Sequence, residues 1–295
     1  MKSIYIFCFI GLSLFLSNCD ADSFSQVVEI DIPPHEPALA VRALFQQNDT
    51  LLSLLLTDSK GILESTSLEI QKEATVRLFE NEQALPVFSY NPNTSRFTAP
   101  VPSGFEQTQS TYRLEISAPN FKTISATQIM PQPVSILAGK YTPNGTFSSD
   151  GDRVDAIEIE FQDPAGEENY YAFSGMQRVA YFNGQDTSYY DSEIYLDSND
   201  PLVSYGTAQL LLLSDAAFNG NTYKVLLYSY NEIPEGEIKV QLFSLSRDTY
   251  LYHRSLNNYY DAVDNPFAEP VNVHQNIENG YGIFGLAGVS EIDLN

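Results

Sequence analysis

Leu39-Ala40-Val41-Arg42-Ala43-Leu44-Phe45-Gln46-Gln47-Asn48-Asp49-Thr50-Leu51-Leu52-Ser53-Leu54-Leu55-Leu56 decides the fold class. Leu39, Val41 and Ala43 recur at every second position, and so do Leu52, Leu54 and Leu56. Successive side chains of a strand point to opposite faces, so each set marks one buried strand face. Asn48-Asp49 between them supplies the turn of a hairpin.

The pattern continues outward. Ala74–Phe79 reads as a strand, Tyr112, Leu114 and Ile116 alternate on another, and a further strand runs from Phe121 to about Ile129. Pro131-Gln132-Pro133 and Thr142-Pro143-Asn144-Gly145 then mark a domain boundary. Beyond it, Ile157, Ile159 and Phe161 share a face, and strands follow near 170–173, 193–196, 208–213, 223–230 and 237–245. Leu210 to Leu213 lacks polar alternation, which predicts burial on both faces. One helix is expected after Ser246 or Asp248, with Tyr252, Leu256, Tyr259 and Val263 facing a core. The fold class is mainly β: two antiparallel β-sandwich-like domains, the second with one short helix near its C-terminus. The divisions are 1–18, 19–37, 38–135 and 136–295.

The first two divisions form a leader and a tether. Lys2 precedes an apolar run of 13 residues, Ile4–Leu16, which is shorter than the ~20 residues of a spanning helix. Leu16-Ser17-Asn18-Cys19 closes it as a lipoprotein-processing site, although a small residue is usual where Asn18 stands. Cys19 is the expected lipidation residue, carrying the acyl chains (palmitate among them) that tether residues 19–37 to a membrane. Cutting there discards Cys8, so the mature chain keeps no thiol for a disulfide, a thiolate metal site or a nucleophile. It also leaves 14 basic residues against 38 acidic ones, a formal charge of −24. Such a surface repels phosphate backbones, which excludes nucleic-acid binding.

The C-terminal stretch reads Asn265-Pro266-Phe267-Ala268-Glu269-Pro270, Val271-Asn272-Val273, then Asn276-Ile277-Glu278-Asn279-Gly280-Tyr281-Gly282-Ile283-Phe284-Gly285. Two prolines remove two backbone donors, Phe267 between them is expected to plug into a core, and the glycines allow close backbone approach around Ile283-Phe284. The expected product is a strand that seals the second domain. This string resembles the closing signature of the domain of unknown function 4249 family, secreted lipoproteins of certain Gram-negative bacteria. The resemblance extends to Ser214–Tyr223, to Ser244-Leu245-Ser246 with Tyr250, Tyr252 and Ser255, and to Ala74–Leu78. It implies a lipoprotein of two β-rich domains, the first similar to immunoglobulin-like or carboxypeptidase-regulatory-like sandwiches. It implies no activity, so no catalytic residue is carried over.

Motifs for chemistry are sparse. His35, His253 and His274 have no metal-ligand spacing, and neither G-x-S-x-G nor H-E-x-x-H occurs. Asp150, Asp152 and Asp155 lie in an acidic turn where Ca²⁺ ligands are considered, against a solvated turn as the plain reading. Asp186, Asp191, Glu193, Asp197 and Asp200 have the same status. In Tyr170-Tyr171, Tyr189-Tyr190 and Tyr259-Tyr260, one ring of each pair is expected in a core. The functional expectation is a non-enzymatic, lipid-anchored binding or accessory module of the outer membrane, facing the periplasm or the cell surface. Its expected partner, by family association, is an outer-membrane TonB-dependent transporter. The alternatives are a structural or adhesive surface lipoprotein and, third, a glycan- or peptide-acting hydrolase built on an acid pair.

Overall fold

Alternation of buried and exposed side chains in the opening hairpin is carried through in three dimensions. The computed structural model describes residues 34–61, 63–105, 109–230, 238–263, 265 and 267–294. Strands β1 (Leu39–Gln46) and β2 (Leu51–Asp58) pair antiparallel, and Asp49 closes the turn by accepting from Gln46 N at 2.8 Å. Leu39, Val41, Ala43 and Phe45 face inward with Leu52, Leu54 and Leu56.

The hairpin belongs to a ten-stranded sheet. From β2 it continues through β6 (Arg96–Pro100) to the edge strand β5 (Ser89–Asn91). In the other direction β1 meets β17 (Tyr281–Leu294), then β16 (Ile238–Leu245), β11 (Tyr170–Phe182), β14 (Leu211–Ser214) and β13 (Ser204–Tyr205). Strand β12 (Thr187–Ile194) extends β11 as a long hairpin. Two smaller sheets pack on one face of this one. The first holds β4 (Gln83–Ala84), β3 (Thr75–Glu80), β7 (Thr111–Ser117) and β8 (Ile124–Ile129); the second holds β15 (Thr222–Ser229), β10 (Arg153–Gln162) and β9 (Ile136–Phe147). The single helix among the described residues with a buried face, α1 (Arg247–Val263), covers the opposite face.

Each small sheet encloses a core against the large one. The first core centres on Phe45, whose ring lies 5.9 Å from Phe284 and 6.0 Å from Phe88. The second centres on Phe161, 4.9 Å from Tyr171 and 6.0 Å from Phe218. The cores change over between Met130 and Val134, beside the division read at 135/136, but the large sheet runs through both. The last strand does not only seal the second half: Phe284 and Leu286 sit in the first core and Leu294 in the second. Residues 37–295 accordingly form one compact unit.

Several local readings need correction. The β1–β17 pair is parallel, which an antiparallel reading did not include. Thr142–Gly145 lies within β9, where pairing jumps from Thr146 to Thr142 and leaves a bulge. That strand is an edge, the position in a sheet that tolerates a proline. Phe267 is 94% exposed and plugs into nothing.

Gly282 decides whether the parallel pair can form. Its φ is +104°, and a Cβ there would overlap the carbonyl oxygen of Val41. Strained backbone and steric overlap each cost on the order of 1–3 kcal/mol. Gly282→Ala is therefore expected to lower unfolding free energy by about 3 kcal/mol or more. Urea denaturation checks this, and an unchanged midpoint would refute the role given to the glycine.

Candidate functional site

Helix α1 starts where Ser246 stops continuing β16. Ser246 O accepts from Tyr250 N at 3.1 Å, and its hydroxyl lies 2.8 Å from that of Thr249. The missing side chain at Gly285 lets Thr249 rest directly on β17, and the rings of Tyr250 and Tyr170 lie 4.8 Å apart. The buried helix residues are Thr249, Tyr250, Tyr252 and His253, all in its first half. Of the stripe read from sequence only Tyr252 is buried, because α1 runs on past the sheet and leaves Tyr259 and Val263 exposed.

The helix is fastened by Asp248. Its carboxylate receives Gln128 Nε2 at 2.6 Å and Asn276 Nδ2 at 3.3 Å, and lies 2.7 Å from His274 Nε2. Burial pushes this carboxyl up, but hydrogen bonds from His274, Gln128 and Asn276 outweigh it and hold the group below its ordinary range. Asn276 also exchanges two bonds with the backbone of Phe284, at 2.8 and 2.9 Å. It supplies the ladder partner on the edge of β17 that β16, paired from Ala287 onward, does not reach.

Between α1 and the sheet lies a cavity of about 340 Å³. Leu44, Phe243, Leu245 and Ala287 form its apolar floor, and His253 of the helix and Gln209 of the segment after β13 belong to its wall. Ala208 and Gln209 both have φ of +58°, two consecutive left-handed residues without a glycine. Gln209 Oε1 is buried and has no hydrogen-bond partner among the described residues. His253 is 6% exposed, with Nδ1 2.7 Å from Thr207 Oγ1. Burial, and secondarily the charge of Arg42, push its pKa down to about 4, so the ring is neutral at neutral pH.

The cavity opens along the sheet. Met176 and Gln241 line it and also line a polar basin of about 480 Å³. Gln241 is the joint: it accepts from Ser174 Oγ at 3.1 Å and donates to Glu291 at 2.6 Å. The basin is built by cross-strand register, which sets Arg178 opposite Asp191 and Lys239 opposite Asp293. An apolar hollow that opens onto a polar basin suits a ligand with an apolar body and a polar end.

The residues named from sequence have mostly structural places. Cys19 lies outside the described residues. Asp155 is buried against Tyr141 Oη at 2.6 Å and Asn144 N at 2.8 Å, while Asp152 is exposed and Asp150 lies 3.4 Å from Tyr230 Oη. Among the described residues no group of three or more His, Cys, Asp or Glu is arranged to hold a metal ion. Asp197 and Asp200 accept from Tyr205 and Tyr223, each at 2.5 Å, and Asp186 sits in the β11–β12 turn. Asp191 and Glu193 line the basin and the cavity. His35 precedes β1, and His274 belongs to the Asp248 fastening. Tyr171 is buried in the second core as expected, with Tyr170 on the opposite face, but Tyr189 and Tyr190 are 61% and 54% exposed because their hairpin projects beyond the second core, and Tyr259 and Tyr260 are exposed on the end of α1. Gln209 was not singled out, since nothing in its neighbours signals its burial.

Fold and site together define a mainly β protein with one sheet shared by two cores and a helix-covered hollow on its free face. The chain belongs to the family described as Domain of unknown function (DUF4249), whose sequence pattern matches residues 26–293. No curated protein matches it. Among solved structures it is similar to a DUF4785 family protein from Legionella pneumophila, at 10% identity over 70% of this chain, with a TM-score of 0.24. The chain spans about half, 51%, of that protein's length. It is also similar to the yeast delta-COP-I mu-homology domain, at 11% identity over 90% of this chain and 98% of that one, with a TM-score of 0.21. Scores this low carry no argument.

Two outcomes follow from the cavity. A histidine whose folded pKa lies below its unfolded 6.5 stabilises the fold fully above pH 6.5, and loses that contribution as pH falls toward 4. Unfolding free energy should drop by up to about 3 kcal/mol across this window, and His253→Gln should flatten the dependence. Equal pH profiles for the two proteins would refute it. Gln209→Met, which removes a buried acceptor without a partner, is expected to raise stability by about 1 kcal/mol in the same assay.

Proposed function

We propose that this chain is a lipid-anchored binding module of the bacterial cell envelope, working without catalysis and taking its ligand in the hollow beneath α1. The observation that carries the binding reading is the cavity of about 340 Å³ beneath α1, floored by Leu44, Phe243, Leu245 and Ala287, with the left-handed pair Ala208-Gln209 and the unpartnered Gln209 Oε1 in its wall. Strain and an unmet acceptor both cost stability, and sites that keep such costs are commonly functional. The envelope address rests on Lys2, the apolar run to Leu16, and Cys19. An outer-membrane TonB-dependent transporter is the proposed partner, by association with such lipoproteins alone. An adhesive role is the second reading, favoured by the exposed rings of Tyr181, Phe182, Tyr189 and Tyr190 on the β11–β12 hairpin.

The binding reading is tested with 4-ethylphenol, an apolar ring with one hydroxyl donor. Titration should move amide resonances of residues 206–210 and 249–253, and Gln209→Met should weaken binding about tenfold. A titration that moves neither segment sinks the reading. For the anchor, the wild-type lipoprotein should enter the detergent phase on cloud-point separation and Cys19→Ser should remain in water; identical partitioning would overturn it. Purification from native membranes should recover the transporter, and a lone monomer would favour the adhesive reading.

A further inference from the structure

The hollow and the basin beside it form one trough, joined at Met176 and Gln241, and its two ends differ in chemistry. The end beneath α1 is apolar. The other end, with the shared rim, carries Asp191, Glu193, Glu291 and Asp293 against two cations, Arg178 and Lys239. Lys239 is engaged by Glu291 at 3.2 Å, and the Arg178 guanidinium lies 5.2 Å from the centre of the Tyr189 ring. The remaining excess of charge is negative, and the neutral His253 ring adds nothing to offset it. Arg42, beside His253, does not line the trough.

Tyr189, on the same strand face as Asp191, stands at the basin with its ring exposed. An aromatic face attracts a cation through its quadrupole, as Arg178 over Tyr189 already illustrates within the chain. The Tyr189 ring together with surplus carboxylates favours an ammonium group. An anionic head would face three carboxylates with only two, already engaged, cations to meet it.

We propose that the trough takes a cationic amphiphile, an apolar body beneath α1 joined to an ammonium head among Asp191, Glu291, Asp293 and Tyr189. This deepens the binding reading above and rests on it. No bond is made or broken, and the discrimination is electrostatic.

Three probes that share one ring and differ in the head test it on the full chain: tyramine, 4-ethylphenol and 3-(4-hydroxyphenyl)propanoate. Calorimetric titration should rank tyramine tightest and the propanoate weakest, with about tenfold or more between the two at low salt. The gap should narrow as salt is added and in Asp191→Asn, an exposed hairpin position whose replacement leaves both cores untouched. Propanoate binding as tightly as tyramine overturns the inference while leaving the hollow as a binding site. Failure of all three to bind overturns the inference and the binding reading together. An unchanged preference in both Asp191→Asn and high salt would show that the head does not sit in the basin, which also overturns it.

Discussion

The parallel contact between β1 and β17 is the constraint on which the rest of the molecule depends. Val41 and Gly282 face each other across it with no room for a side chain. Because β17 also pairs with β16, this contact turns two sandwiches into one object with a shared sheet. Phe284 then reaches Phe45, and the linker at Pro131–Val134 lies against the large sheet, with Val134 N donating to Ser244 Oγ at 3.1 Å. The free face of the sheet becomes long enough to seat α1 at its middle and leave a hollow beside it.

Much of this was legible in residue periodicity. A strand buried on one face writes its geometry directly into alternate positions, which is why β1, β2, β7 and β10 could be located and why Leu211 to Leu213 read as doubly buried. The misses share physical causes. Strand β9 carries Pro143 and Gly145, local signals of a break, and only its place at an edge makes them compatible with pairing. The outer half of the β11–β12 hairpin is exposed on both faces and so has no alternation to read. Partner choice is absent from local pattern altogether, so the parallel pairing of distant strands could not be inferred.

The site divides in the same way. Its carboxylates were visible as an acidic run, but their grouping comes from register between strands remote in sequence. The C-terminal motif was visible as a unit, and its meaning is structural: Asn276 completes the edge of β17, and His274 helps fix α1 through Asp248. Gln209 was invisible because its property, an acceptor removed from water, exists only once the fold has buried it.

Joining the earliest strand to the latest also sets a timetable. Ala40 waits for Tyr281, nearly the full length of the fold away, before β1 has neighbours on both sides. Contacts so distant in sequence are slow to form, since the loop they close must be ordered first. Until then β1 presents an open row of backbone donors and acceptors, to which any passing strand can add. The opening half of the chain is thus committed early in pattern and completed late in time. A chain that emerges N-terminus first keeps an unfinished sheet until its β17 segment is free.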